Sequence, residues 1–189
     1  MTYAEVLRPT GRRWTAFYDS GLVVGGSLFI ALSARLTVPL PFSPVPLTGQ
    51  TMAVLLVGAV LGARRGSLTV LLYLLQGAAG LPVFAAGGAG LGWLLGPTGG
   101  YLLGFLPAAA LAGLLSERGW DRRVGPTLLL MLAGNVLIYV FGLAGLARFV
   151  PAHRLLAAGL LPFLPGDAVK AVGAALLLPG AWRLLRLRC

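Results

Sequence analysis

Apolar residues run through this chain in six blocks, at 20–36, 48–62, 66–81, 99–115, 125–146 and 166–185, separated by polar stretches or by segments rich in glycine and proline. A membrane-spanning helix needs about 20 apolar residues, so six spans use about 120 and leave only short connections. The second and third blocks are short for full spans, and length alone also permits a re-entrant pair.

Basic residues decide between these readings. If all six blocks cross, the N-terminal segment, the 2–3 loop, the 4–5 loop and the C-terminal segment lie on one side. That side carries Arg8, Arg12, Arg13, Arg64, Arg65, Arg118, Arg122, Arg123, Arg183, Arg186 and Arg188, while the other carries Arg148 and Arg154. Such a bias predicts six crossings with both termini cytoplasmic. Trp14, Trp120 and Trp182 stand beside the same clusters, where an aromatic belt is expected. The expected architecture is an all-α integral membrane protein, a six-transmembrane-helix bundle. A cytoplasmic or interfacial segment at 1–19 precedes a single transmembrane domain at 20–189. The first block has the basic flank of a signal peptide and small residues from Ala31 to Ser33. It is long for a signal core, however, and continues into a patterned loop, so a retained span is expected.

Composition supports this reading. Of 189 residues, 58% are hydrophobic and 11% charged, with a mean hydropathy of +0.89. Soluble domains carry about a quarter of charged residues, so lipid is the solvent here. The net charge of +10 comes from fourteen arginines and one lysine in small clusters, which fits anionic headgroups and not nucleic acid. One cysteine, Cys189, makes no internal disulfide or metal cluster, and His153 stands alone in a loop. The only acids are Glu5, Asp19, Glu117, Asp121 and Asp167. No nucleophile–base pair, metal spacing or phosphate loop is visible, so no enzyme, metal or cofactor is expected. Small residues recur four apart inside the blocks, as in bundle packing. In the first block Gly21, Gly25, Ser27 and Ala31 are the best candidates for a surface that meets a partner.

The polar exceptions carry the chemistry. Asp167 and Lys170 open the sixth block three residues apart, hence on one face. A charge at mid-membrane costs on the order of 3 kcal/mol, and such residues often mark a ligand path. A mutual ion pair that caps the helix explains them equally well. Asn135 and Tyr139 form an i, i+4 pair that either serves a ligand or joins helices. Two outer connections lack charge. Pro39-Leu40-Pro41-Phe42-Ser43-Pro44-Val45-Pro46 is rigid and leads to Gln50. The second runs from Gly80 to Tyr101 and carries Phe84 and Trp93. Together these loops can roof an apolar pocket with a few polar groups.

The ordered set Pro44-Val45-Pro46-Leu47-Thr48-Gly49-Gln50-Thr51, Gly80-Leu81-Pro82-Val83-Phe84, Gly96-Pro97-Thr98-Gly99-Gly100-Tyr101, Gly134-Asn135 with Tyr139, and Gly166-Asp167-Ala168-Val169-Lys170 resembles the BioY family. These are biotin transporter subunits, the substrate-capture (S) components of energy-coupling factor (ECF) transporters. The resemblance implies a six-helix S component in a bacterial or archaeal cytoplasmic membrane that takes biotin from outside. It implies a transmembrane coupling subunit and two cytoplasmic ATPase subunits as partners, with docking on the small residues of the first helix. It places Gly166, Asp167 and Lys170 at the biotin site. On this reading Lys170 neutralises the biotin carboxylate, Asp167 meets the ligand or holds Lys170, Gln50 and Asn135 serve ureido or carboxylate atoms, and Phe84, Trp93 and Tyr101 pack the rings, with Tyr139 beside them. Capture of another vitamin and a non-transport scaffold role are the alternatives.

Overall fold

The computed structural model describes residues 2–9 and 11–186. Arg188 and Cys189, and the side chains of Arg12 and Arg186, lie outside the described residues. In chain order the helices are α1 (Tyr3–Val6), α2 (Arg12–Ser33), α3 (Gln50–Leu61), α4 (Ala63–Ala78), α5 (Leu91–Leu95), α6 (Gly99–Glu117), α7 (Val124–Leu146), α8 (Ala152–Gly159) and α9 (Leu164–Arg186). Two short strands, β1 (Thr37–Val38) and β2 (Leu47–Thr48), pair antiparallel.

The six apolar blocks became the six long helices. Four stretches, Arg13–Ser33, Gly99–Glu117, Val124–Leu146 and Ala152–Leu185, are long and apolar enough to cross a membrane. α3 is apolar but has only 12 residues, about 18 Å of helix. A single residue joins it to α4. Gly62 has φ +86°, a backbone state open to glycine at little cost. The chain doubles back there so tightly that a Cβ on Gly66 would stand 2.8 Å from Gly58 Cα.

α6 is the centre of the bundle and packs on α3, α4 and α7. Small residues make this possible, because backbones approach closely only where side chains are missing. Gly100 abuts Gly145 and Gly104 abuts Ile138, so α6 and α7 run antiparallel. Gly58 abuts Ala109 and Gly113 abuts Ala63, so α3 and α6 run parallel. The Ser116 hydroxyl donates to the Ala59 carbonyl at 2.6 Å across that second seam. α2 is the most peripheral long helix. It leans chiefly on α4, with Gly26 against Thr69.

Four segments meet at one end of the bundle. Ala63 N–H donates to Glu117 Oε1 at 2.8 Å, and Trp182 Nε1–H donates to Asp121 Oδ2 at 2.6 Å. The Tyr3 ring lies 4.3 Å from that of Trp182, and the Tyr3 hydroxyl donates to the Leu178 carbonyl. The arginines at 64, 65, 118, 122, 123 and 183 therefore gather at one end, as their grouping in sequence predicts. Burial pushes the Asp121 carboxyl above its ordinary range, against the opposing pull of its Trp182 and Ser116 hydrogen bonds and the Arg122 charge.

Three details differ from expectation. α2 starts at Arg12, inside the polar segment, because its one acid, Asp19, pairs with Arg8 and Arg65 at 2.8 Å each. Trp14 is exposed as a belt residue should be, whereas Trp182 turns inward onto Tyr3 and Asp121. The stretch after α7 is not a plain loop: His153 sits exposed on α8.

A polar-floored apolar cavity as candidate functional site

At the end opposite the arginines, α3, α6, α7 and α9 surround a cavity roofed by the two uncharged connections. The β1–β2 ribbon pins the ends of the first roof, and its Val45 and Pro46 face the cavity. Ser43 ties this roof to α8 by donating to the Ala158 carbonyl at 2.7 Å. Arg35 ties α2 to the second roof by donating to the Pro82 carbonyl at 2.8 Å. Both loops thus lie where the sequence anticipates them.

Seven of the eight expected site residues line this one cavity: Gln50, Phe84, Trp93, Tyr101, Tyr139, Asp167 and Lys170. Asn135 does not line it. It sits one turn of α7 beyond Tyr139, buried, with Oδ1 lacking a partner among the described residues.

Lys170 is the one cation and Asp167 the one acid in the lining. Lys170 Nζ donates to the Thr48 carbonyl (2.7 Å), Thr51 Oγ1 (3.1 Å) and Asp167 Oδ1 (2.9 Å). An ammonium has three N–H groups, so all are engaged. Asp167 Oδ1 also accepts from Thr51 at 3.1 Å, and Oδ2 accepts from the Tyr139 hydroxyl. The side chains are 23% and 7% exposed for Lys170 and Asp167. Burying a charge this far is tolerable only with a partner and hydrogen bonds, and the pair has both. The two residues are bonded to each other, as the ion-pair reading expects, and both line the cavity.

A second polar chain starts from Gln50 in the lining and runs away from the cavity. Gln50 Nε2 donates to the Tyr73 hydroxyl, which donates to the Val83 carbonyl at 3.2 Å. Thr51, in the lining, and Tyr73, behind it and bonded to Gln50, were not singled out as site residues by sequence reasoning. Their signal was a hydroxyl inside an apolar block, since a buried Tyr O–H needs a partner.

Three aromatics are seated on glycines. A Cβ on Gly77 would fall inside the Phe84 ring, one on Gly88 inside Trp93, and one on Gly142 against Tyr101. Phe84 meets Tyr73 edge to face at 5.6 Å. Tyr101 donates to the Gly159 carbonyl at 2.7 Å and lies 6.4 Å from Phe163, another lining residue. The cavity is closed down. About 570 Å3 of space free of protein atoms lies within it and at its mouth.

Among the expected docking residues, a Cβ on Gly21 or Gly25 would meet open space, so these two mark a bare outer face of α2. Ala31 is partly covered, and Ser27 is fully buried with its hydroxyl on the Val24 carbonyl.

A helical membrane protein with a small, mostly apolar chamber and one internal ion pair is the class that fold and site define. The BioY family model matches residues 11–187, and the chain belongs to that family. Curated relatives include a biotin transporter BioY of Rhizobium etli, 41% identical over 64% of this chain and 68% of that one. Another, from Rhodobacter capsulatus, is 46% identical over 63% of each chain. A probable biotin transporter BioY of Pyrococcus horikoshii is 44% identical over 66% of this chain and 73% of that one. Among solved structures, the S-component for biotin from an ECF-type ABC transporter is similar with a TM-score of 0.81. It is 25% identical, and the match covers 92% of this chain and 95% of that one.

Proposed function

We propose that this protein captures biotin at the outer face of the cytoplasmic membrane as the S component of an ECF-type transporter. One observation carries the reading: an enclosed aromatic chamber contains a single lysine whose charge is balanced by a single aspartate. Biotin supplies what such a chamber lacks, an apolar bicycle for the rings and a carboxylate for the ammonium. The anion draws Lys170 Nζ from one of its three present acceptors. Asp167 then keeps Lys170 and Tyr139 in place. Gln50 offers its free carbonyl side to ureido N–H groups.

All six long helices cross in this reading, residues 20–189 form one transmembrane domain, and both termini face the cytoplasm. The shortness of α3 is compatible with crossing, because irregular backbone at membrane depth is tolerated where it lines a cavity and is buried in protein. A transmembrane coupling subunit docks on α2, with Gly21 and Gly25 forming the close-approach surface, and two ATPase subunits supply the energy. Purified protein should retain biotin from the expression host, and biotin should raise its melting temperature more than thiamine or riboflavin does. Equal shifts from all three vitamins, or none, refute the assignment.

A further inference from the structure

We propose that Tyr73, which stands outside the chamber, is a specificity-determining positioning residue that fixes the Gln50 amide with its oxygen turned inward. The inference rests on the biotin reading above and names what makes the site prefer a ligand with N–H donors. Gln50 is the first residue of α3, lines the cavity and is only 3% exposed. A glutamine amide offers two N–H donors on one branch and an acceptor oxygen on the other, and the two branches are nearly alike in shape. Which branch meets the ligand is therefore decided by what holds the other one. Here that group is the Tyr73 hydroxyl.

Chemistry fixes the direction of each bond in this chain. The Val83 carbonyl can only accept, so the Tyr73 hydroxyl spends its single proton there, at 3.2 Å. Only lone pairs remain on that hydroxyl, so Gln50 must meet it with Nε2, as it does. Gln50 Oε1 is then left over: it has no partner among the described residues and remains accessible within the lining. The Val83 carbonyl cannot turn away to release the hydroxyl. The Phe84 N–H, on the same peptide group, donates to the Gly88 carbonyl at 3.0 Å, and the Val83 N–H donates to the Leu81 carbonyl at 2.8 Å. The Tyr73 ring is fully buried and meets Phe84 edge to face. A flipped amide would set Oε1 against the hydroxyl, whose one proton cannot serve two oxygens. One buried acceptor would go unpaired, which disfavours the flip roughly five- to a hundredfold. The chamber thus presents a locked acceptor, and a ureido ring, with an N–H on each flank, is a ligand that satisfies it.

The test is isothermal titration of the detergent-purified protein with biotin and with its cyclic carbonate analogue, in which oxygen replaces both ureido N–H groups. Wild type should prefer biotin at least about tenfold, because the analogue leaves the Gln50 oxygen unpaired. Tyr73→Phe keeps the ring on Phe84 and frees the amide to turn. Its preference for biotin should shrink at least about fivefold, with the carbonate bound as well as before or better. In a Gln50→Leu background the same substitution should leave the preference where Gln50→Leu alone puts it, because Tyr73 acts through Gln50. A preference unchanged in Tyr73→Phe, whether or not both affinities fall, makes the tyrosine merely structural and overturns the proposal. So does a preference that Tyr73→Phe still lowers once Gln50 is gone. Wild type that binds biotin and the carbonate alike overturns it too and leaves biotin capture standing, whereas wild type that binds neither ligand refutes the biotin reading itself and this inference with it.

Discussion

Lys170→Met separates a lysine that binds the ligand from one that only braces the helices. The substitution keeps the aliphatic stem and removes three hydrogen bonds, to Thr48, Thr51 and Asp167. Asp167 then retains Thr51 and Tyr139 but loses its counter-ion. Removing one partner from a buried, hydrogen-bonded charge pair costs about 2–5 kcal/mol, which is roughly 30- to several thousand-fold in affinity. Lys170 is not fully enclosed, so the lower half of that range is expected. Part of any loss will come from the orphaned Asp167, which a single variant cannot resolve. The assay is therefore a cycle: isothermal titration of wild type and Lys170→Met with biotin and with its uncharged alcohol. If Lys170 meets the carboxylate, the alcohol binds wild type weakly, and the variant no longer distinguishes the two ligands. A coupling term of at least about 1 kcal/mol is expected between residues in contact. If the variant loses the same factor for acid and alcohol, Lys170 braces the site without touching the carboxylate, and the reasoning fails.

Two other outcomes follow from the geometry. Gly77→Ala puts a methyl group where the Phe84 ring sits; overpacking typically costs about 1–3 kcal/mol, so the melting temperature and biotin affinity should fall together, and an unchanged affinity would free Phe84 from the ligand wall. Asp121 has a folded-state pKa raised by burial, so the folded state holds its proton more tightly than the unfolded state does. That contribution is complete below the unfolded pKa of about 4, fades as pH rises, and is gone above the folded pKa. Each unit of elevation corresponds to about 1.4 kcal/mol. Asp121→Asn should flatten this loss of stability with rising pH in thermal melts, and identical pH profiles for variant and wild type would contradict it.

The membrane class, the six long helices and the grouping of basic residues were legible because each rests on simple statistics of apolarity and charge. The two roofs were legible because prolines and glycines without charge have few other places to go. Convergence of Gln50, Phe84, Trp93, Tyr101, Tyr139, Asp167 and Lys170 rested on the family's ordered motifs, since they stand on six different segments. What sequence hid was helix rotation. A hydroxyl at Tyr73 or Thr51 is plainly inside an apolar block, but packing alone decides that Thr51 faces the chamber and that Tyr73 stands behind Gln50. Asn135 illustrates the converse, since a shared face with Tyr139 does not ensure a shared cavity. Ser27 was open to exclusion beforehand. It lies two residues after Gly25, about 200° around a helix, and so cannot share that glycine's stripe.

Because one residue links α3 to α4, those two helices form a stiff clamp. They are fixed at Gly62 below, and the Gln50–Tyr73 hydrogen bond braces them at the chamber. A guest much larger than water therefore gains its room elsewhere, from the proline roof, which Ser43 ties to α8 by a hydrogen bond to Ala158. The door and the hinge of this binding protein belong to different parts of the chain, and distance labels across the α3–α4 clamp should stay still while labels on the roof move.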